Sequence, residues 1–265
     1  GATGMIGSFL IDLLMLKNKK ENLNCHIIAI GRDREKAKKR FNDYFNQNIF
    51  TFVEADINHG IRVDEEKINY FVHAASNTHP LAYSTDPIGT ISTNVIATNN
   101  LLQLAKQKEC DRFVFLSSVE IYGENRGDID KFDEAYCGYI DCNTLRAGYP
   151  ESKRVGEALC QAYIKQVNLD IVIPRLSRVY GPTMLMSDTK ALSQFIKKAL
   201  NNEDIVLKSE GKQYYSYAYV ADAVSGILKV LFDGCKGEAY NIADSSSDIT
   251  LYELANTIAT VVEKK

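Results

Sequence analysis

A tyrosine and a lysine four residues apart form the pair with the clearest chemical potential in this chain. Tyr149 and Lys153 stand in the segment YPESK, and residues with that spacing lie on one face of a helix. The ordinary pKa of tyrosine is about 10, and a neighbouring ammonium lowers it by favouring the phenolate. Ser118 ends an earlier apolar segment. We interpret the three side chains as a proton-relay site that oxidises an alcohol or reduces a ketone.

Glycines at three-residue spacing begin the chain, in the segment GATGMIG. Gly1, Gly4 and Gly7 lead directly into an apolar pattern typical of a helix. Backbone N–H groups at such a turn, with the positive end of the helix dipole behind them, suit a pyrophosphate. Taken alone, the motif is equally compatible with a glycine-rich turn that binds nothing. Together with the tyrosine–lysine pair it favours a dinucleotide site.

Apolar strand patterns alternate with helical patterns through the first two thirds of the sequence. Such alternation predicts an α/β fold with a doubly wound parallel sheet, in which ligands bind beyond the carboxyl ends of the strands. We predict a nucleotide-binding domain over residues 1–175. Residues 176–265 then form a smaller substrate lobe that partly packs back on the sheet. The segment YYSYAY contains a tyrosine cluster, Tyr214, Tyr215, Tyr217 and Tyr219. The last three alternate with a period of two, which indicates a strand.

Composition excludes several other classes of protein. A net charge of −3 gives no basic field that would attract nucleic acid or an anionic membrane. No apolar run approaches the length of a membrane span. The cysteines and histidines lack metal-ligand spacing, so we predict no metal site and reduced thiols of a cytoplasmic protein.

Motifs along nearly the whole chain resemble those of the extended short-chain dehydrogenases/reductases, in the nucleotide-sugar epimerase/dehydratase group. The matching segments are GATGMIG, ADI, HAAS, TNVIATNNLL, SSVEIYG, YPESK, PRLSRVYGP and YAYVADA. The resemblance implies a Rossmann-type fold and an NAD or NADP cofactor. The cofactor-binding residues that it implies are Gly1, Thr3, Gly4, Met5, Ile6, Gly7, Arg32, Asp33, Asp56, Ile57, Ala74, Ala75, Ser76, Asn94, Tyr149, Lys153 and Pro174.

The same resemblance implies chemistry at C4 of a sugar carried on a nucleoside diphosphate. Tyr149 takes the proton of the C4 hydroxyl, Lys153 lowers the pKa of Tyr149 and holds the cofactor ribose, and Ser118 orients the hydroxyl. Glu120 is the fourth expected catalytic residue. Val119 stands where dehydratases of the group have Asp, and RAGYPESKR is closest to UDP-glucuronate decarboxylases. An NADPH-dependent ketone reductase and a non-catalytic NAD(P) sensor are the alternatives.

Two departures from the family pattern concern the substrate and a third concerns the cofactor. Arg178 replaces the usual Asn, and Tyr215 replaces an Arg that grips the diphosphate in many relatives. We list both with Ser118 as substrate-binding residues and expect Arg178 to take over phosphate binding. Gly31 stands where an NAD-selective acid is common, and Arg32 beside it slightly favours NADP over NAD, although Asp33 can serve NAD.

The resemblance also predicts an assembly and a missing element. In the family, helices that match Thr93–Gln107 and Glu151–Gln166 pair across a two-fold axis, so we expect a homodimer. The first strand of the family's sheet ends immediately before the first glycine. We therefore expect that strand to be absent from the sequence printed here.

Overall fold

The computed structural model describes residues 1–76, 78, 80–184 and 188–262. The helices in these residues are α1 (Met5–Glu21), α2 (Arg34–Arg40), α3 (Pro80–Thr85), α4 (Pro87–Gln107), α5 (Gly148–Val167), α6 (Ala191–Leu200), α7 (Val220–Asp233) and α8 (Leu251–Val261). The strands are β1 (Ile27–Gly31), β2 (Phe50–Glu54), β3 (Tyr70–His73), β4 (Arg112–Phe115), β5 (Ser117–Ser118), β6 (Ile171–Leu176), β7 (Arg178–Tyr180), β8 (Tyr214–Tyr219), β9 (Ala239–Ile242) and β10 (Asp248–Thr250).

Parallel strands make up the two sheets of the nucleotide-binding region. β1 pairs with β2. The larger sheet has the order β3-β4-β6-β5, with β9 also paired to β6. Each of these pairs is parallel, which confirms the predicted α/β fold with parallel sheets. The carboxyl ends of β3 and β5 therefore lie at the same edge, and the next residues of the chain lie there too.

The larger sheet is covered on both faces because its strands alternate apolar side chains between two cores. Phe113 and Phe115 of β4 pack with Leu102 of α4 and Cys160 of α5. Val114, between them in sequence, packs with side chains of α7 on the opposite face. Because these strands are buried on both faces, their sequences are continuous runs of apolar residues.

A separate core lies in the C-terminal part of the chain. Phe195 of α6, Tyr217 of β8 and Leu254 of α8 pack together there, and β8 is the central strand of the sheet β10-β8-β7. The strand expected from the alternating tyrosines is confirmed in β8. By contrast, β9 and α7 return to the larger sheet. The predicted division at residue 175 stays a prediction.

The sequence missed one helix and overextended another. The sequence pattern predicts no element between β3 and α4, but α3 lies there. The basic segment REKAKKRFNDYF predicts a helix that continues to Phe45, but α2 ends at Arg40, since Phe41 turns into the core beside β1 and β2. Gly1 and Ala2 lie next to the Ile30 carbonyl at the end of β1. The strand expected before Gly1 stays a prediction. No helix in the described ranges is both long and apolar enough to cross a membrane.

Candidate active site

Tyr149 and Ser118 meet at the carboxyl edge of the larger sheet. Ser118 is the last residue of β5, and Tyr149 lies in the first turn of α5. The Tyr149 side chain forms hydrogen bonds with the side chains of Ser118 and Ser76, and Ser76 follows the end of β3. The structure therefore brings together a tyrosine and a serine that are 31 positions apart in the sequence, as the proton-relay interpretation requires.

A chain of hydrogen bonds through Ser76, Asn94 and Ser152 connects the side chain of Tyr149 with its backbone carbonyl. Ser76 donates to the side-chain oxygen of Asn94 at 2.7 Å, and the Asn94 amide donates to Ser152 Oγ at 2.9 Å. Ser152 Oγ in turn donates to the Tyr149 carbonyl at 2.8 Å. Asn94 and Ser152 are buried. Asn94, expected at the cofactor, thus has a structural task that the sequence alone did not reveal.

Burial is the largest influence on the pKa of Tyr149. It raises the pKa of Tyr149 to about 12, the Glu120 charge adds to the rise, and the hydrogen bonds with Ser118 and Ser76 oppose it. The expectation that Lys153 lowers this pKa is wrong for the geometry observed. The Lys153 ammonium instead donates to the Leu116 carbonyl at 2.8 Å.

Lys153 is itself a buried cation. Only 3% of the residue is exposed, and its Nζ lies 4.9 Å from the centre of the Phe115 ring. Burial lowers the pKa of Lys153 to about 8, because removing an ammonium from water penalises its charged form. A lysine held in this way is within reach of losing its proton near neutral pH.

Tyr83 of α3 covers Tyr149. The two ring centroids are 5.0 Å apart with 21° between the ring planes. Burial raises the pKa of Tyr83 well above its ordinary value. Sequence reasoning did not identify Tyr83, and the stack depends on the placement of α3.

Glu120 lies between two arginines. One carboxylate oxygen is 3.3 Å from Arg146 Nη2 and the other is 3.5 Å from Arg178 Nη2. The Glu120 N–H donates to Ser118 Oγ at 3.2 Å, which fixes the backbone of this turn. Arg178 also lies over Tyr215, with the guanidinium carbon 3.6 Å from the ring centroid. The two departures from the family pattern are therefore in contact with each other.

The glycine loop has the properties of an anion cradle. Gly4 is the N-cap of α1, whose first turn carries no acidic side chain and no side-chain cap. A methyl group on Gly7 would overlap the Gly1 carbonyl oxygen, and one on Gly1 would overlap the backbone of Ala74. These approaches leave room only for glycine, and the uncompensated helix terminus suits a phosphate. The loop fits a dinucleotide.

Most of the other expected cofactor residues follow the carboxyl ends of β1, β2 and β3 or lie in the glycine loop and the first turn of α1. Asp33 caps α2 by accepting from the Lys36 N–H at 2.8 Å, and Asp56 accepts from the Asn58 N–H at 2.9 Å. Both carboxylates therefore already accept a hydrogen bond from a backbone N–H group close to them in the sequence. Arg32 is exposed beside Asp33. Thr3, Met5 and Ile6 lie in the glycine loop and the first turn of α1. Ile57 follows β2, Ala75 follows β3, and Pro174 lies within β6.

Metal binding has no support in the part of the chain that the structure covers. No three His, Cys, Asp or Glu side chains cluster there in a way that could hold an ion.

Comparison with known sequences gives matches over nearly the full length. Residues 1–243 match the NAD dependent epimerase/dehydratase family. UDP-glucuronic acid decarboxylase 6 from Arabidopsis thaliana is 32% identical over 263 residues, which are 99% of this chain and 73% of that protein. UDP-glucuronic acid decarboxylase 3 from the same plant is 31% identical over 262 residues, with 99% and 73% covered.

Comparison with solved structures gives the same fold at lower identity. dTDP-glucose 4,6-dehydratase from Bacillus anthracis, in complex with NAD, superposes with a TM-score of 0.81 at 24% identity, covering 100% of this chain and 80% of that chain. UDP-glucuronic acid 4-epimerase from Bacillus cereus, also with NAD, has a TM-score of 0.81 at 24% identity, with 100% and 82% covered. At these identities the likeness concerns the fold.

Proposed function

The chain belongs to the NAD dependent epimerase/dehydratase family, and we propose that it decarboxylates the uronic acid of a nucleoside diphosphate sugar through a 4-keto intermediate. Oxidation at C4 places a ketone β to the carboxylate on C5. The C5–carboxylate bond then breaks with release of carbon dioxide, and its electron pair passes into an enolate. Protonation at C5 restores the ketone, which is finally reduced at C4.

Each residue of the candidate site has a task in this sequence. Tyr149 takes the proton from the C4 hydroxyl as the C–H bond breaks, and Ser118 orients that hydroxyl through its hydrogen bond with Tyr149. The glycine loop at Gly1–Gly7 would hold the pyrophosphate of the cofactor, and Lys153 its nicotinamide ribose. A bound nicotinamide supplies the chemistry of accepting and returning a hydride.

The position of Glu120 is the observation that carries the decarboxylase proposal. Its carboxylate is close enough to Tyr149 to raise the pKa of that phenol, and it is held by Arg146 and Arg178. It can therefore serve as the acid–base group for the steps after oxidation. Val119, where dehydratases of the group have Asp, argues against elimination of water. The curated relatives described above, named as UDP-glucuronic acid decarboxylases, support the same assignment.

NAD is the cofactor that the comparisons favour. The dehydratase and epimerase structures described above were each solved with NAD, whereas the preference for NADP, inferred from Arg32, has no support among them. Titration of the protein with each dinucleotide checks this assignment. Tighter binding of NADP that is lost in Arg32→Ala would restore the NADP assignment.

A homodimer through α4 and α5 is part of the proposal. Leu101 and Leu102 of α4 are buried within the chain itself, so they are not available to a partner. Ile96 of α4 and Val155 of α5 are 49% and 43% exposed, which supports a second copy on this face. Light scattering at micromolar concentration should give twice the mass of one chain. A monomeric wild-type protein would contradict the assembly.

Product analysis tests the reaction. We expect the protein, supplied with NAD, to convert UDP-glucuronic acid to a UDP-pentose with loss of carbon dioxide, detected by mass spectrometry. A product of unchanged mass would indicate an epimerase, and stoichiometric consumption of reduced cofactor a ketone reductase. Binding of NAD without conversion of any UDP-sugar would indicate a sensor.

Substitution of Glu120 tests its assigned role. Glu120→Gln keeps the size of the side chain and removes its charge. We expect oxidation to proceed while the later steps slow by ~100-fold, the scale of one lost acid–base group, so that the 4-keto sugar accumulates. Glu124→Gln, at an exposed glutamate of the same segment, is the control. If Glu120→Gln completes turnover at the wild-type rate, Glu120 is not catalytic.

A further inference from the structure

Tyr215 is a rigid platform at the border between the two parts of the chain. It lies in β8, the central strand of its sheet, and is opposite Ile249 of β10 in the strand register. On the other side, β8 pairs with β7, where Arg178 is opposite Tyr217. Backbone pairing on both sides fixes the Tyr215 backbone, and its side chain packs against the core that contains Phe195 and Tyr217, which restrains the ring.

Arg178 links this platform to the candidate active site. Its guanidinium carbon is 3.6 Å from the Tyr215 ring centroid, and its Nη2 is 3.5 Å from Glu120 Oε1. The second partner of Glu120, Arg146, has a side chain that is 64% exposed, against 33% for Arg178. Arg178 is thus the more restrained of the two cations, and its restraint comes from an aromatic face.

We propose that Tyr215 and Arg178 act as one positioning unit that holds the Glu120 carboxylate for the steps after oxidation. The inference rests on the proposed function, in which Glu120 acts at that stage. An unrestrained carboxylate with a side chain 31% exposed would sample several rotamers, and a catalytic group must be held near its reactive geometry. The Arg178 guanidinium forms an ion pair with Glu120 while it lies over the Tyr215 ring.

The unit explains two departures from the family pattern together. A guanidinium on β7 without an aromatic neighbour would be free to pair with other acids. A tyrosine at position 215 alone would offer no charge to Glu120. This assignment also differs from the phosphate-binding role expected for Arg178, because its observed partners are the Glu120 carboxylate and the Tyr215 ring. Loss of Arg178 should therefore change the later chemical steps and leave the affinity for UDP unchanged.

A mutant cycle in the protein loaded with NAD tests the unit. We expect Arg178→Met and Tyr215→Leu each to slow the steps after oxidation by about tenfold, the scale of a partly desolvated cation–π contact. The double variant should be no slower than the slower single variant, because the two side chains act as one. Oxidation, measured in a single turnover with UDP-glucuronic acid, should slow by no more than about twofold, because Arg146 still pairs with Glu120 and offsets its charge in these variants.

Two conservative variants separate positioning from general damage. Tyr215→Phe keeps the ring face and should restore the rate of the steps after oxidation that Tyr215→Leu loses. Tyr214→Leu removes a tyrosine that is 61% exposed on the same strand and is the matched control. Multiplying effects in the double variant, or equal damage from Tyr215→Phe and Tyr215→Leu, would overturn the proposal. A tenfold loss of UDP affinity in Arg178→Met with unchanged later steps would return Arg178 to the phosphate.

Equilibrium unfolding tests the contact itself without turnover. The coupling between Arg178→Met and Glu120→Gln should be about threefold in the unfolding equilibrium constant, as for a partly exposed ion pair, and should disappear in the Tyr215→Leu background. A coupling that is indifferent to Tyr215 would refute the unit even if the reaction proves to be another one. A third result is a coupling that disappears in the Tyr215→Leu background while the wild-type protein leaves UDP-glucuronic acid unchanged. That result would refute the proposed function and support the contact of Arg178 with Tyr215 and Glu120.

Discussion

Replacing Lys153 with methionine should remove a pH dependence of stability that the active site imposes on the fold. The ammonium is buried, and burial lowers the pKa of Lys153 from 10.5 to about 8. Between these two values the unfolded chain binds a proton that the folded chain has released. The stability of the wild-type protein therefore rises with pH across this window. At about 1.4 kcal/mol per pKa unit, the full rise is ~3 kcal/mol.

The variant lacks this group in both states, so its stability should not share the rise. At pH 7, where Lys153 is charged in both states of the wild type, the variant escapes the cost of burying the charge. It also leaves the Leu116 carbonyl without the donor that lies 2.8 Å away, which costs about 1–3 kcal/mol. The two effects nearly cancel at pH 7. At pH 10, close to the unfolded pKa of 10.5, most of the first effect has gone, and the variant should be less stable than wild type by ~2 kcal/mol.

Urea unfolding followed by circular dichroism at pH 7 and pH 10 measures both differences. The protein should be free of cofactor, because a ligand bound to the folded state adds its own stabilisation. Lys165→Met is the control, since Lys165 is an exposed lysine of the same helix, and it should differ little from wild type at either pH. If the difference between Lys153→Met and wild type is the same at both pH values, the ammonium is not buried as described.

Three further substitutions test the rest of the site. Tyr149→Phe should lose turnover by at least ~100-fold while binding NAD as wild type does, and near-normal turnover would refute its role as the base. Gly7→Ala should abolish NAD binding because the methyl overlaps the Gly1 carbonyl; wild-type affinity in titrations would contradict the cradle. Tyr83→Leu should expose Tyr149, lower its pKa from about 12 and move the pH–rate profile of oxidation to lower pH, whereas Tyr83→Phe should leave the profile in place.

Local sequence patterns predicted most of the fold. The apolar segments around Phe113 and Ile171 became β4 and β6, because strands buried on both faces need continuous apolar residues. The spacing of Tyr149 and Lys153 placed both on α5 at the correct edge of the sheet. Alternation in YYSYAY predicted β8. Each of these inferences depends only on residues close together in the chain, where periodicity determines which face a side chain occupies.

Contacts between distant segments were beyond the reach of such patterns. The stack of Tyr83 on Tyr149 depends on the placement of α3, a helix shorter than two turns with no amphipathic signature. The contact of Arg178 with Tyr215 follows from the register of β7 against β8. The direction of the Lys153 ammonium depends on which acceptor, the Leu116 carbonyl or the phenol, is nearer in the folded chain. Periodicity carries no information about any of these choices.

The arrangement around Glu120 connects the two halves of the proposed reaction. Its negative charge raises the pKa of Tyr149 and so opposes the first step, in which Tyr149 must accept a proton as a phenolate. The guanidinium groups of Arg146 and Arg178 lie within 3.5 Å of the same carboxylate, and opposite charges at that distance reduce the field that Glu120 exerts on the phenol. The carboxylate needed after oxidation can therefore stay beside Tyr149 without preventing oxidation, because the arginines that position it also offset its charge.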